Sequence, residues 1–251
     1  MPTWDELVKV IEEPGDNFAK ALVYGDTGVG KTLFASTWPK PFFVDIEDGM
    51  RTLKGKMPPY VKLRRDEDNY KTLIQIIKDF DKREGIFKEK LPDRETFVID
   101  GVTALASNFL SQLMNIGDFF SLQRGGYAHS PKRPSDMYQA EQGDYGVLTS
   151  RLYEVFARLR DLKANVVVTA HIMEKEKDGS VSFRGPATVG NFREELGYQL
   201  DEMMYMAKEG AGENMKFILY PYGYRGFPGK SRSHLPVKIE NPTYQSLYKT
   251  T

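Results

Sequence analysis

The segment Gly25-Asp26-Thr27-Gly28-Val29-Gly30-Lys31-Thr32 fits the pattern G-x-x-x-x-G-K-[ST] at every fixed position. The chemistry it serves is phosphate binding. Glycines let the backbone turn sharply and aim its N–H groups at phosphate oxygens. A helix N-terminus directly behind the turn adds partial positive charge. Lys31 is spaced to reach the β- and γ-phosphates of a nucleotide, and the Thr32 hydroxyl to hold Mg2+. An apolar run, Ala19 to Tyr24, precedes the segment and a helix-forming run, Leu33 to Ser36, follows it. That strand–turn–helix setting is the one the pattern requires. The cofactors implied are ATP and Mg2+.

Three further groups sit where they could act on a bound phosphate. Thr96-Phe97-Val98-Ile99-Asp100 puts a carboxylate at the C-terminal end of a buried strand. In a parallel sheet that end faces the same crevice as the phosphate loop. Asp100 is therefore the candidate outer partner of Mg2+; the plainer alternative is a solvated aspartate opening a turn at Gly101. Asp45, Glu47 and Asp48 end the strand that follows the phosphate-loop helix. Glu47 is the candidate base for water attack, Asp45 a supporting group, and Asp48-Gly49 a turn; alternatively all three acids solvate a strand end. His171 follows the buried strand Val166 to Ala170. It could sense the γ-phosphate and pass that signal to the next loop, or be an ordinary strand-end histidine.

These residues need a scaffold that brings strand ends together. The chain alternates short apolar runs with helical periods, which points to an α/β fold with a mostly parallel sheet and helices on both faces. Expected strands are Ala19–Tyr24, Phe42–Ile46, Thr96–Ile99 and Val166–Ala170, with a short extended piece at Tyr60–Leu63. Helices are expected through Leu73-Ile76-Ile77-Phe80, Leu105–Leu113, Leu148–Leu162 and about 191–199. Residues 115–143 and 172–190 read as polar loops, and loops that long inside a domain are usually functional. Segments near 201–207, 214–221 and 236–240 read as antiparallel strands added at one sheet edge. The expected division is an N-terminal extension at 1–17, an ATPase core at 18–242 and a tail at 243–251.

The chain has 251 residues, 35 basic and 35 acidic, and no cysteine. That length allows one large core without staples. Disulfides, Cys-ligated zinc, iron–sulfur clusters and thiol nucleophiles are excluded. His129, His171 and His234 are scattered, against a His-rich metal site. Zero net charge argues against gripping nucleic acid by bulk charge but leaves a local basic strip open. No apolar run approaches a membrane span, and Met1 to Glu13 is unlike a signal peptide. The expectation is a cytoplasmic protein with no membrane partner.

In this order the features resemble the RecA/RadA recombinase core, and among its branches the short phage-encoded RecA-like recombinases of the single-strand-annealing group. The resemblance covers about residues 18–242 and implies a RecA-like P-loop NTPase. Phe43-Val44-Asp45-Ile46-Glu47 looks like the strand carrying that family's catalytic glutamate. Val98-Ile99-Asp100-Gly101-Val102-Thr103-Ala104-Leu105 looks like its Walker-B strand and following helix. Thr169-Ala170-His171 falls where the family has a γ-phosphate sensor, commonly Gln. Two loops line the family's DNA channel, which by chain order implies residues 117–143 and 172–190 here. The first holds Arg124, Tyr127, Lys132 and Arg133 among glycines, a composition suited to phosphate neutralisation and base stacking on single-stranded DNA. The second holds Lys175, Lys177 and Arg184, with Glu174, Glu176 and Asp178 offsetting much of their charge.

From Asn214 to Ile239 there is no Asp or Glu, but there are Lys216, Arg225, Lys230, Arg232 and Lys238. The resemblance implies that Lys230 and Arg232 reach a neighbouring subunit's γ-phosphate, as an arginine finger does. A basic surface patch or a further DNA contact are the alternatives. Phe18-Ala19-Lys20-Ala21 has the F-x-x-A spacing used for subunit docking in the RadA branch, but lies inside the expected first strand. With the core beginning near residue 18, assistance to annealing with a single-strand-binding protein fits better than full strand exchange.

The expected function is an ATP-dependent, single-stranded-DNA-binding recombination ATPase that assembles into a homo-oligomeric ring or filament. A small-molecule or nucleotide kinase is the second possibility, with residues 115–143 as a lid. A non-catalytic, nucleotide-gated DNA-binding switch is the third.

Overall fold

The computed structural model describes residues 18–53, 55, 57–64, 68–121, 140, 142–189 and 192–248. In chain order the elements are β1 (Lys20–Gly25), α1 (Lys31–Ser36), β2 (Pro41–Asp45), β3 (Tyr60–Lys62), α2 (Asn69–Lys82), α3 (Ile86–Glu89), β4 (Thr96–Asp100) and α4 (Val102–Ser121). They continue as α5 (Gln142–Asp161), β5 (Asn165–Ala170), β6 (Ile172–Lys177), β7 (Ser180–Pro186), α6 (Phe192–Gln199) and β8 (Glu202–Glu209). The last are β9 (Lys216–Tyr220), β10 (Gly223–Tyr224), β11 (Phe227–Pro228), β12 (Ile239–Glu240) and α7 (Tyr244–Tyr248).

An eight-stranded sheet runs in the order β12-β9-β8-β1-β5-β4-β2-β3. From β8 to β3 every neighbouring pair is parallel; β9 is antiparallel to β8, and β12 to β9. The expected α/β class is therefore what the chain adopts. One detail differs: the segment near 201–207 is not an antiparallel addition but a parallel neighbour of β1, pairing Leu22 with Met203 and Gly25 with Met206. Helix α6 carries the chain back across the sheet before β8, which makes a parallel pairing possible.

The central strands are apolar without alternation because both faces are covered. Leu22, Tyr24, Phe97, Ile99, Val166 and Val168 pack under α2, α4, α5 and α6. Ala21, Val23, Phe43, Val98 and Val167 pack on the other face with Phe34 and Trp38 of the α1 region and Leu247 of α7. Helix α2 shows how local sequence sets an element. Asp68 caps it by accepting from the Lys71 amide (3.2 Å), Leu73, Ile77 and Phe80 are buried on one face, and Arg83 ends it at φ 55.

Two expected loops resolve differently. The 172–190 segment contains the antiparallel hairpin β6–β7, with Glu174 opposite Arg184 and Lys175 opposite Phe183. Its strands carry no hydropathy signal because the distal half of the ribbon is exposed and β6 there alternates Glu and Lys, although the base of β7 is buried. Helix α4 runs on to Ser121, past the expected end near Leu113. The remainder of the 117–143 segment, with Arg124, Tyr127, His129, Lys132 and Arg133, lies outside the described residues. Ala21 of the F-x-x-A spacing is a fully buried β1 residue, so that segment is core strand. Among the described residues no helix is long and apolar enough to cross a membrane.

Candidate active site

β1, β5, β4 and β2 are consecutive in the sheet and parallel, so their C-terminal ends form one rim. The register pairs Tyr24 with Ala170, Ile99 with Val168, and Asp45 with Asp100. The phosphate loop, His171, Asp100 and Glu47 therefore leave the sheet side by side, as the sequence pattern requires.

The loop itself turns at Gly28 (φ 72) and Gly30 (φ 91), left-handed conformations that favour glycine. Gly25 is constrained differently: a Cβ there would meet the Met206 carbonyl oxygen at 2.2 Å, so β8 presses the loop's first residue. Lys31 is buried, and its Nζ donates to the Gly25 (2.9 Å) and Asp26 (2.7 Å) carbonyls. Burial pushes its ammonium below the ordinary lysine range, against the pull of Glu47, Asp100 and Asp26.

Next to the loop, Thr32 Oγ1 donates to Asp100 Oδ2 (2.9 Å) and Thr169 Oγ1 donates to Asp100 Oδ1 (2.7 Å). Asp100 is 4% exposed. Burial pushes its carboxyl up, the two hydroxyls pull it back, and Asp45 and Glu47 push it further up. A Cβ on Gly49 would lie 2.3 Å from Asp100 Oδ2 and 3.1 Å from Thr32 Oγ1, so only glycine leaves this pair its space. A buried carboxylate beside a threonine hydroxyl, held by neutral donors, is an oxygen donor set that fits Mg2+.

Glu47 lies across the rim, its Oε2 2.8 Å from His171 Nε2. The two expected site residues are thus a contact pair. Gly101, at φ 105, backs Glu47: a Cβ there would be 2.6 Å from both Cγ and Cδ of Glu47. The expected turn at Asp48-Gly49 is present, with Asp48 at φ 60 and ion-paired to Lys62. Asp45 supports that turn by accepting from the Gly49 amide (3.0 Å), and burial raises its carboxyl.

Residues that the sequence pattern left unmarked complete the wiring. Thr169 also accepts from the Gly101 amide (2.9 Å), so one hydroxyl joins β5, Asp100 and the backing of Glu47. Thr103 Oγ1 accepts from the His171 amide (3.1 Å) and donates to the Ala187 carbonyl (2.7 Å). The Ala187 amide donates to the His171 carbonyl (2.7 Å). His171 is thereby tied to the chain just after the β6–β7 hairpin. Lys208 of β8 reaches over the loop, with Nζ 3.4 Å from a Cβ position at Gly28. Thr169 carried one signal, a hydroxyl alone in a run of valines; Lys208 carried none.

A cleft of about 730 Å³ opens beside Glu47 and His171, lined also by Thr27, Lys62, Arg64 and Asn108.

The remaining expected residues lie elsewhere. Lys230 bridges Met203 at the start of β8, and its Nζ donates to the Gly197 (2.8 Å) and Leu200 (2.6 Å) carbonyls. Arg232 pairs with Asp201 (2.8 Å). Buried Glu202 accepts from the amides of Arg232 (3.3 Å) and Ser233 (3.0 Å), fixing the segment. This is the N-terminal rim of the sheet, because the Asp201 amide donates to the Lys20 carbonyl. Neither cation touches this chain's own phosphate loop. Lys175 is exposed on β6. Arg184 on β7 pairs with Glu174 (3.3 Å) and donates to the Arg225 carbonyl (2.9 Å). The Lys177 side chain lies outside the described residues.

Residues 17–233 match the family described as an AAA domain. No curated protein matches the sequence. Among solved structures the chain is similar to a KaiC-like protein from the hyperthermophilic archaeon Pyrococcus horikoshii, with 15% identity and a TM-score of 0.46, over 88% of this chain and 84% of that one.

Proposed function

This chain belongs to the AAA domain family, and from that premise we propose that it is an ATP-hydrolysing, single-stranded-DNA-binding recombination protein that works as a homo-oligomer. The observation that carries the catalytic part is the convergence on one sheet rim of Lys31, the Thr32–Asp100 pair and the Glu47–His171 pair.

In this reading the loop amides and Lys31 hold the phosphates. Thr32 and Asp100 hold Mg2+, which when bound neutralises charge on the phosphate oxygens. Glu47 orients a water in line with the γ-phosphorus and takes its proton. His171 holds Glu47 by Oε2, which leaves Oε1 to face the water. The links from His171 to Thr103 and Ala187 connect that base to the β6–β7 hairpin. Hairpin residues Lys175, Lys177 and Arg184, with Arg124, Tyr127, Lys132 and Arg133, contact single-stranded DNA. Lys230 and Arg232 act on a neighbour's γ-phosphate, since both sit on the rim opposite their own loop. The resemblance to short phage-encoded recombinases supports a role in annealing in the host cytoplasm, beside a single-strand-binding protein.

The test is phosphate release with and without single-stranded DNA, alongside DNA binding with ATP, ADP and no nucleotide. DNA-stimulated turnover and ATP-dependent binding are expected. Lys31→Ala should abolish both, whereas Glu47→Gln should keep nucleotide binding and slow turnover by about 100-fold or more. Turnover indifferent to DNA, with no nucleotide-dependent binding, refutes the reading. Nucleotide-gated binding without turnover assigns the chain as a switch instead.

One observation favours a second reading, phosphoryl transfer to a small acceptor. The cleft beside Glu47 carries Lys62 and Arg64 and is large enough for an anionic metabolite. Transfer of labelled γ-phosphate to an acceptor other than water decides for it.

A further inference from the structure

The acid-free segment between Asn214 and Ile239 holds five cations, and four of them are occupied. Lys216 pairs with Glu240, Lys238 with Glu209 and Arg232 with Asp201, while Lys230 is held by two carbonyls. Arg225 differs. Among the described residues its guanidinium pairs with no carboxylate; it lies over the Tyr224 ring, 5.0 Å from the centroid. The carboxylate of Glu209, a charged neighbour, is already taken by Lys238 and the Tyr220 hydroxyl.

Arg225 is also held in an unfavourable conformation. β10 and β11 pair Tyr224 with Phe227, which leaves Arg225 (φ 51) and Gly226 (φ 82) as a two-residue turn with both φ positive. Such turns select Asn-Gly or Gly-Gly, because a long side chain in the left-handed region is strained. An arginine kept there is strain pointing to use rather than to folding.

The hairpin beneath it is a built platform. Tyr24, Tyr205 and Tyr220 stand on neighbouring strands, Tyr205 in register with both others. Phe227 stacks on Tyr205 (centroids 4.5 Å, planes 6° apart) and Tyr224 stacks on Tyr220 (4.2 Å, 3°). Arg184 lies over Phe227 and donates to the Arg225 carbonyl, which ties the platform to the β6–β7 hairpin. The Tyr24 hydroxyl donates to the Pro228 carbonyl, which ties it to the residue before the phosphate loop. Tyr222, 46% exposed, leaves an aromatic ring in solvent three residues before Arg225.

We propose that the β10–β11 hairpin is a single-strand nucleic-acid contact, with Arg225 taking a phosphate and Tyr222 stacking on a base. A free guanidinium and an open aromatic ring on a rigid base are the pair of groups that hold an unpaired strand without reading its sequence. The segment contributes no acid of its own, and the neighbouring Glu209 is already neutralised by Lys238, which suits the site to a polyanion. This inference rests on the reading of the chain as a single-strand-binding ATPase and adds a surface to it.

The test is fluorescence anisotropy with a labelled oligothymidylate, using the full chain and a non-hydrolysable ATP analogue over a salt series. Arg225→Asn is the informative variant. Asn-Gly is the favoured pair for this turn, so the thermal midpoint should hold or rise. Affinity should nevertheless fall several-fold, and the salt slope should drop by about 0.7, one phosphate contact on a single strand. Tyr222→Ala should weaken binding about 5-fold or more without changing that slope. DNA-free ATP turnover should stay as in wild type for both. If the unaltered chain binds no oligothymidylate with any nucleotide, the underlying functional reading fails and this inference with it. Should wild type bind while both variants bind equally well, only the hairpin assignment is overturned. A change in sedimentation without a change in DNA affinity also overturns it, and gives the hairpin to a subunit contact.

Discussion

Replacing Gly101 by alanine should disable the base without touching the phosphate loop. The Cβ would sit 2.6 Å from Cγ and Cδ of Glu47. An ordinary contact requires about 3.5 Å or more, so Glu47 must move by on the order of 1 Å. It cannot do so and keep its 2.8 Å approach to His171. Misplacement of a reacting group by that distance costs about 100-fold in rate. The backbone carries a second cost, since φ 105 disfavours any L side chain; about 1–2 kcal/mol is expected, a fall in Tm of roughly 2–8 °C. The assay is steady-state phosphate release at saturating ATP and DNA, well below the variant's Tm, with nucleotide affinity measured separately. kcat should fall about 100-fold and nucleotide affinity should hold, because Lys31 is carried at the start of α1, behind a different strand. Combined with Glu47→Gln, the two losses should fail to multiply, as expected when both act through one group. A folded Gly101→Ala protein turning over within about threefold of wild type would falsify the assignment of Glu47 as a base positioned by Gly101.

Three further outcomes are expected. Lys208→Ala should weaken ATP binding several-fold while sparing ADP more, since its ammonium hangs over the loop at Gly28; nucleotide titration checks it. Asp100→Asn should abolish Mg2+-dependent hydrolysis, yet in chelator it should raise Tm by about 2–4 °C, on the order of 1 kcal/mol, because a buried charge is removed. Lys20 is buried against carbonyls at and just past the end of α5, those of Leu159, Leu162 and Ala164, and burial pushes its ammonium down to about 8. With the folded value depressed, its contribution is fully present above the ordinary lysine value of 10.5 and lost as pH falls through about 8. Denaturant unfolding of wild type and Lys20→Met should therefore diverge in favour of wild type as pH rises across that window.

Much of the site was legible because strand ends are marked by composition. Asp100 and His171 each follow a short apolar run, and Glu47 closes one after a single further turn of the chain. Once the strands are parallel, those ends must meet. The β6–β7 hairpin was not legible, since its distal half is exposed on both faces and only its base is buried, too short a stretch to impose alternation. Thr169 and Thr103 were half-visible at most: a buried hydroxyl says that it needs a partner, but not which one. The β8 pairing was not legible because local pattern does not say on which side of the sheet a late strand enters; α6 carries the chain back so that β8 runs parallel to β1.

By itself the sequence determined the chemistry on offer: a phosphate loop, oxygen ligands suited to Mg2+, no thiol chemistry and an acid-free basic stretch. Those follow from residue type and local spacing, which survive without knowledge of contacts. Only the tertiary structure decided that Glu47 and His171 touch, that Gly49 and Gly101 are required by their neighbours, and that Lys230 and Arg232 face away from their own loop. It also decided that Arg225 is the cation of its stretch left without a carboxylate or carbonyl among the described residues. The physical reason is separation along the chain. Glu47 and His171 come from strands that pair only through β4, and charge pairing depends on distances of a few ångströms that no local pattern encodes.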